Sequence, residues 1–152
     1  MGPEFQLQRE GASKDTVRLQ LAFGEGIENY MNDAPVDVGL VKNASDPVRP
    51  VLGDPLPIVG IVAFLDHSWS DKFSSSLGYS LTDIDNTDAQ APDAYKTGHY
   101  ALGNLLYYPA PNAMVGGEFQ WGRRENFSDG FRHDSFKVQF SFRYNFSIKV
   151  GG

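Results

Sequence analysis

Phe136-Lys137-Val138-Gln139-Phe140-Ser141-Phe142-Arg143-Tyr144-Asn145-Phe146 alternates apolar and polar side chains without a break. Successive side chains of a strand leave opposite faces, so residues 136–146 predict a strand with one aromatic face and one polar, partly basic face. The same period recurs upstream. Over residues 16–23, Val17, Leu19, Leu21 and Phe23 oppose Thr16, Arg18, Gln20 and Ala22. Over residues 73–81, Phe73, Leu77, Tyr79 and Leu81, with Ser75, oppose Ser74, Ser76, Gly78 and Ser80. Over residues 114–124, Val115, Gly117, Phe119 and Trp121 oppose Gly116, Glu118, Gln120, Gly122 and Arg124.

Residues 58–69 and 100–107 read as two further strands with apolar residues at both parities. The stretch from Ile58 to Phe64 is apolar on both faces, and Asn104 alone hardly fixes the inner side of the other. A strand of this kind is normally buried on both sides, which conflicts with a simple water-filled barrel. Helical spacing fits nowhere, because Gly and Pro interrupt every candidate window. The reading is an all-β chain, an antiparallel up-and-down meander or barrel of about six main strands, with a short extra strand admitted around residues 36–41.

Connection lengths alternate. Phe23 to Ile58 is long, Trp69-Ser70-Asp71-Lys72 is tight, and Asp83 to Tyr95 is long and acidic. Tyr108-Pro109-Ala110-Pro111-Asn112 is tight, and Arg123 to Asp134 is long again. Outer-membrane barrels segregate long loops from short turns in this way. Trp69, Phe73, Tyr107 and Tyr108 mark the short-turn ends, where an interfacial aromatic girdle would sit.

Composition narrows the classes. The chain has 152 residues, 41% hydrophobic and 21% charged, which suits one folded domain. Its net charge of -6 argues against a nucleic-acid partner. Cys 0 removes disulfides, thiolate zinc sites and cysteine nucleophiles. Met1-Gly2-Pro3-Glu4-Phe5 reads as a vector remnant. Residues 1–15 are therefore set apart as remnant and N-terminal extension, and residues 16–152 as the barrel domain.

No enzyme chemistry is expected. Asp66-His67 and His133-Asp134 are neighbours on strands and point to opposite faces, and no pair among His67, His99 and His133 has ligand spacing. Ser74-Ser75-Ser76 lacks a nucleophile elbow. Gly24-Glu25-Gly26 does not complete a phosphate-binding fingerprint. Asp83, Asp85, Asp88 and Asp93 read as a solvated loop, with a weak cation site as the alternative. No catalytic group, metal or cofactor is assigned.

The polar strand faces are more informative. On the four clean strands they carry Arg18, Glu118, Arg124, Lys137 and Arg143, four cations against one anion in a chain of net charge -6. Basic groups along a restricted aqueous path favour anions, and the guanidinium fork suits carboxylates. These five residues are the candidate lumen and anion-binding set, with Glu118 expected to pair across strands with one of the cations.

The stretch Glu118-Phe119-Gln120-Trp121-Gly122-Arg123-Arg124-Glu125-Asn126, followed by residues 136–146, resembles the closing hairpin of the DcaP-like porins. Gly24-Glu25-Gly26-Ile27, Asp66-His67-Ser68-Trp69 and Asn104-Leu105-Leu106-Tyr107-Tyr108-Pro109 look similar as well. The resemblance implies a trimeric channel in the outer membrane of a Gram-negative bacterium. It implies outer-membrane lipid as surroundings and passive diffusion of small organic anions, dicarboxylates among them. Two features depart from the family. Ser147 follows Tyr144-Asn145-Phe146, where members end near an aromatic residue. Six strands are also too few to close a bacterial membrane barrel, which needs at least about eight. The resemblance therefore implies the C-terminal third of such a channel, or a relative reduced to that size. The alternative is a soluble small β-barrel that turns the aromatic face inward, as a binding or structural module or a refolded porin fragment.

Overall fold

The computed structural model describes residues 4–7, 15–27 and 35–146. The described part is all-β: β1 (Glu4–Leu7), β2 (Asp15–Glu25), β3 (Val38–Lys42), β4 (Val51–Pro55), β5 (Pro57–Ser70), β6 (Phe73–Ile84), β7 (Tyr95–Ala110), β8 (Ala113–Asn126) and β9 (Arg132–Tyr144). One antiparallel sheet has the order β1-β2-β5-β6-β7-β8-β9, and β3 and β4 form a separate two-stranded ribbon. Every long strand thus pairs with its sequence neighbour, as alternation and loop length predict. Tight turns of residues 71–72 and 111–112 join β5 to β6 and β7 to β8.

Strand ends differ from the sequence reading. β8 runs to Asn126 and β9 begins at Arg132, so the last long connection shrinks to residues 127–131. Cross-strand pairs Arg123↔Asp134 and Glu125↔Arg132 prolong the ladder. β9 stops at Tyr144, and Phe146 lies beyond it. The admitted extra strand is β3, and its partner β4 escapes the pattern because Gly53 and Pro55 weaken it as a strand. Within the segment set apart as residues 1–15, Asp15 already belongs to β2, and β1 pairs with that strand. The rest of that segment and the tail after Phe146 lie outside the described residues.

Register assigns the faces. Direct partners share a face, and the chain of pairs Leu21↔Ile61↔Leu81 and Leu77↔Gly103↔Phe119↔Val138 carries one apolar face across the sheet. Val17, Leu19 and Phe23 of β2, Leu65 of β5, and Phe136, Phe140 and Phe142 of β9 lie on it. This face is exposed: Phe136, Phe140 and Phe142 are 67%, 84% and 72% accessible. The opposite face carries the more covered positions, including Gly60, Gly78 and Gly116, and is the concave side of the sheet.

The two strands with apolar residues at both parities are resolved by this division. Val62 and Phe64 lie on the concave side, and the Phe64 ring occupies the space a side chain at Gly78 would need. A glycine lets the ring lie flat on the sheet. On β7 the even positions Tyr100, Leu102, Asn104 and Leu106 are concave, so Asn104 does mark the inner side.

The sheet does not close on itself. β1 and β9 are its edges, so the barrel expected as one form of the fold is an open curved meander in a single copy. Six long strands fall short of the eight that closure needs. The buried apolar core among the described residues is Leu56, Ile58 and Ile84, packed by Ile27 and Tyr95 where β5 and β6 meet the long loops. The accessible surface is 11163 Å². A compact monomer of 16.8 kDa would expose about 7,600 Å².

Candidate functional site

All five candidate residues, Arg18, Glu118, Arg124, Lys137 and Arg143, fall on the concave side, opposite Phe140. Two-residue strand periodicity explains the common side, because each occupies the parity complementary to the apolar set. Three transverse rows place them. Arg124 opposes His133 at the long-loop end, Gln120 opposes Lys137 in the middle, and Met114 opposes Arg143 at the tight-turn end. At roughly 3.4 Å per residue, Lys137 stands about 14 Å along β9 from the Arg124 row, and Arg143 about 20 Å further. Arg124, Lys137 and Arg143 therefore follow the seam of β8 and β9 from one end of the sheet to the other, while Arg18 stands across the sheet on β2.

Their environments differ. Arg18 is tied to Asp66 in an ion pair and hydrogen bond, and Ser76 Oγ also donates to Asp66. Arg124 donates from Nε to Asn126 Oδ1 at 2.8 Å and from Nη2 to the Asp93 carbonyl at 3.1 Å. Its guanidinium also sits 5.8 Å from the Tyr95 ring centroid. Lys137 and Arg143 are exposed and have no side-chain partner among the described residues.

Glu118 departs from expectation. It opposes Gln139 and accepts from Gln120 and, at 3.5 Å, from Asn104 Nδ2, with no cation paired to it among the described residues. Gln120 takes the place beside Glu118 that an ion pair with Lys137 would need. The pair that neutralises a concave cation is Arg18 with Asp66, which lies on a strand whose inner side the sequence left undecided. With Asp66 added, the concave positions of β2, β5, β6, β8 and β9 carry four cations and two anions: Arg18, Arg124, Lys137 and Arg143 against Asp66 and Glu118.

A cavity of about 640 Å³ opens on the concave side at the long-loop end, lined by Arg124 and His133 with Ser80, Thr82, Tyr100 and Ser135. Tyr95 lies flat across its floor because Gly98 has no side chain to meet the hydroxyl. A guanidinium, an imidazole and several hydroxyls stand around an opening whose lining is mostly apolar, with the rings of Tyr95, Tyr100 and Phe131 among its walls. Of its lining residues, the candidate set contained Arg124 alone. Tyr100, Ser80 and Ser135 share the parity of Asn104, Ser76 and Lys137, and that signal finds them once the inner side of β7 is known. The connection beside the cavity is held by Asp129, which accepts from Asn126 Nδ2 at 2.9 Å and from the Phe131 amide at 2.8 Å. The Asn126 bond, then the Phe131 amide, hold the Asp129 carboxyl below the ordinary carboxylate range.

The two ends of the exposed face are chemically distinct. At the tight-turn end Phe73 stacks on Tyr107 with ring centroids 4.9 Å apart, and Trp69 Nε1 donates to Ser75 Oγ at 2.9 Å. Tyr108 is the exception among the expected girdle residues. Its hydroxyl meets Ser74 Oγ at 3.2 Å on the concave side. At the long-loop end Arg123 grips Asp134 through Nε at 2.7 Å and Nη2 at 2.9 Å, and Trp121 Nε1 donates to the same carboxylate at 2.9 Å. Arg132 pairs with Glu125 at 2.9 Å. Between these ends the exposed face is mostly apolar; its polar members are the Asp15–His67 pair with Ser75, in the register row of Phe140, and His99 beside Tyr79. From Phe136 to Tyr144 the band measures about 27 Å along β9, which the strand tilt of about 35–45° found in outer-membrane barrels turns into a height of roughly 20 Å, somewhat under their apolar band of about 25 Å.

The histidines make no cluster. His67 Nδ1 meets Asp15 across the strand pair, Tyr79 OH meets His99 Nδ1 at 2.8 Å, and His133 lies beside Phe131. Among the described residues no group of three or more His, Asp or Glu side chains is placed to hold a metal ion. No protein-family model, curated protein or solved structure matches the chain.

Proposed function

We propose that this chain is wall material of an outer-membrane β-barrel channel, a porin or porin fragment, through which small organic anions of dicarboxylate type diffuse passively. One observation carries the reading. The register puts an exposed apolar band on one side of a single-layer sheet and every candidate cation on the other. A side chain such as Phe140 on the outer side needs an apolar medium that no second layer of this chain supplies. Arg124, Lys137 and Arg143 on the inner side hold their charge where a solute would pass.

The concave side is divided as well. Val62 and Phe64 on β5 and Leu102 and Leu106 on β7 are apolar patches set beside the serine positions of β6 and the polar and basic ones of β8 and β9. That division suits an anion with a carbon body better than a fully hydrated inorganic ion. The alternative, a soluble barrel with an inward aromatic core, needs Phe136, Phe140 and Phe142 covered by the chain itself, and they are not.

Reconstitution in a planar bilayer tests the proposal. The Arg124→Ser, Arg143→Ser double variant is expected to lower anion-over-cation selectivity, read from the reversal potential in a salt gradient, while conductance persists. Unchanged selectivity defeats the assignment of these residues.

A further inference from the structure

We propose that Arg123 and Arg132, on the outward side of β8 and β9, hold the terminal phosphate of a membrane lipid in the leaflet on the long-loop side. This site rests on the outer face being lipid-facing, as in the channel reading, and names the lipid. Its first support is a slant in the apolar band. On β9 the outward apolar run is Phe136 to Tyr144, centred on Phe140. On β5 it is Val59, Ile61, Ala63 and Leu65, centred at the level of Val62. The ladders carry that level through Ser80, Tyr100 and Gly122 to Ser135, five residues from Phe140.

Five residues are about 17 Å along the strands and four strand steps are about 19 Å across them, so the band runs at roughly 40° to the register rows. Strands of outer-membrane barrels tilt by about 35–45°, so a band slanted in this way lies level in a bilayer. The tight turns step in the same sense: β6 starts in the row of Phe142 and β8 in the row of Tyr144. The slant also accounts for the Asp15–His67 pair. His67 shares the row of Phe140, yet on β5 it lies past the end of the apolar run.

A level band puts its borders at the lipid headgroups. On β8 and β9 the upper border falls between the Trp121↔Phe136 row and the Arg123↔Asp134 row, and Glu125↔Arg132 comes next. The Trp121 ring is thus an interfacial anchor with two guanidiniums directly above it. Arg123 is fixed by Asp134 through Nε and Nη2, and its guanidinium lies 5.2 Å from the Trp121 ring centroid. Arg132 meets Glu125 through Nε at 2.9 Å, and its side chain is 59% exposed. Each guanidinium is held on one edge by a carboxylate and keeps another for an oxygen ligand. The two residues are diagonal neighbours across the ladder, about 7–8 Å apart. Two forks at that spacing can share a phosphate monoester, which offers three oxygens. Asp83, Glu125 and Asp134 make the belt mixed in charge, so it has no surplus to draw a small anion out of water. A lipid phosphate needs none, because acyl chains on the apolar band below hold it at this level.

Trp69 and Trp121 are the two tryptophans of the chain, so Trp69→Phe leaves Trp121 as a reporter beside Arg123. The Trp69→Phe chain is placed in phosphatidylcholine vesicles that carry a minor fraction of brominated phosphatidic acid or, separately, of brominated phosphatidylcholine. Phosphatidic acid is expected to quench Trp121 several-fold more than the same fraction of phosphatidylcholine. Adding Arg132→Gln, which leaves the Arg123–Asp134 pair in place, should bring the two lipids level. Equal quenching in the parent, or a preference that Arg132→Gln does not move, overturns the proposal. Excess inorganic phosphate at constant ionic strength should leave the preference intact, and its collapse would mean a site for the free ion and not for a lipid. The slant has its own measurement. The chain has no native cysteine, so spin labels at Ser75→Cys and Phe140→Cys read the depth of two positions in one register row. Phe140 is expected deeper than Ser75, and equal depth removes the level on which the site depends. Ion selectivity is read apart from all of these. Lipid preference without anion preference keeps this site and removes the anion reading, and anion preference without lipid preference does the reverse.

Discussion

Ile84 and Phe140 are both apolar residues of long strands, yet Ile84 is 1% accessible and Phe140 is 84%. Ile84 stands where the chain turns back on itself. The β2–β5 connection, with the β3–β4 ribbon, brings Leu56 and Ile58 against Ile84, and Ile27 and Tyr95 pack the rim. Phe140 stands on a single-layer sheet, and among the described residues no second layer lies over it. An apolar side chain is therefore not a core residue by composition. It becomes one only where a second element covers it, and elsewhere it requires a different medium.

The largest test of this contrast is Phe140→Arg. If the outer band meets lipid, the substitution is expected to cost about 2–4 kcal/mol of insertion near the midplane, measured by denaturant titration of folding into vesicles. Equal insertion of the variant and the parent would break the distinction between the two regions. Ile84→Ala should cost about 2 kcal/mol, the low end for a buried isoleucine, because the cluster holds only three buried members. The loss should appear as faster amide exchange in β3, β4 and the start of β5, with the β8–β9 hairpin unaffected. Spread of that loss to β9 would mean that the two regions are one cooperative unit.

The smallest expected effect is acid loosening of residues 127–131. The Asp129 carboxyl is held below its ordinary value of 3.8, so its contribution is complete above that value and is lost as pH falls through the lowered one. Amide exchange at Phe131 should quicken in acid, and Asp129→Ala should show the fast rate already at neutral pH. An Asp129→Ala chain with parental protection at Phe131 would remove Asp129 as the loop's anchor.

Much of the sheet is legible in the sequence because a period of two is a local property. Phe136 and Lys137 must leave opposite faces wherever the strand sits. The same rule puts Arg18, Arg124, Lys137 and Arg143 on one side with Glu118. Less is legible where both parities are apolar. Ile58 lies in the core, whereas Phe64 lies on the open concave side, and only their neighbours Leu56 and Gly78 separate the two outcomes. The partners of Glu118 in this structure are not legible in the alternation, because Gln120 two residues along the same strand and Asn104 across the ladder reach its carboxylate. The cavity residues Tyr95 and His133 come from the starts of β7 and β9, and no local spacing links them.

The sequence by itself determined the strands, their antiparallel order and the separation of aromatic from basic faces. Alternation and turn chemistry act between near neighbours and need no long-range information. The tertiary structure decided which of the two faces is concave, where the small core lies and that one copy leaves both edges open. Those outcomes depend on sheet curvature, on the packing of residues distant in sequence and on the number of strands available to close, and none of these is a property of a single strand.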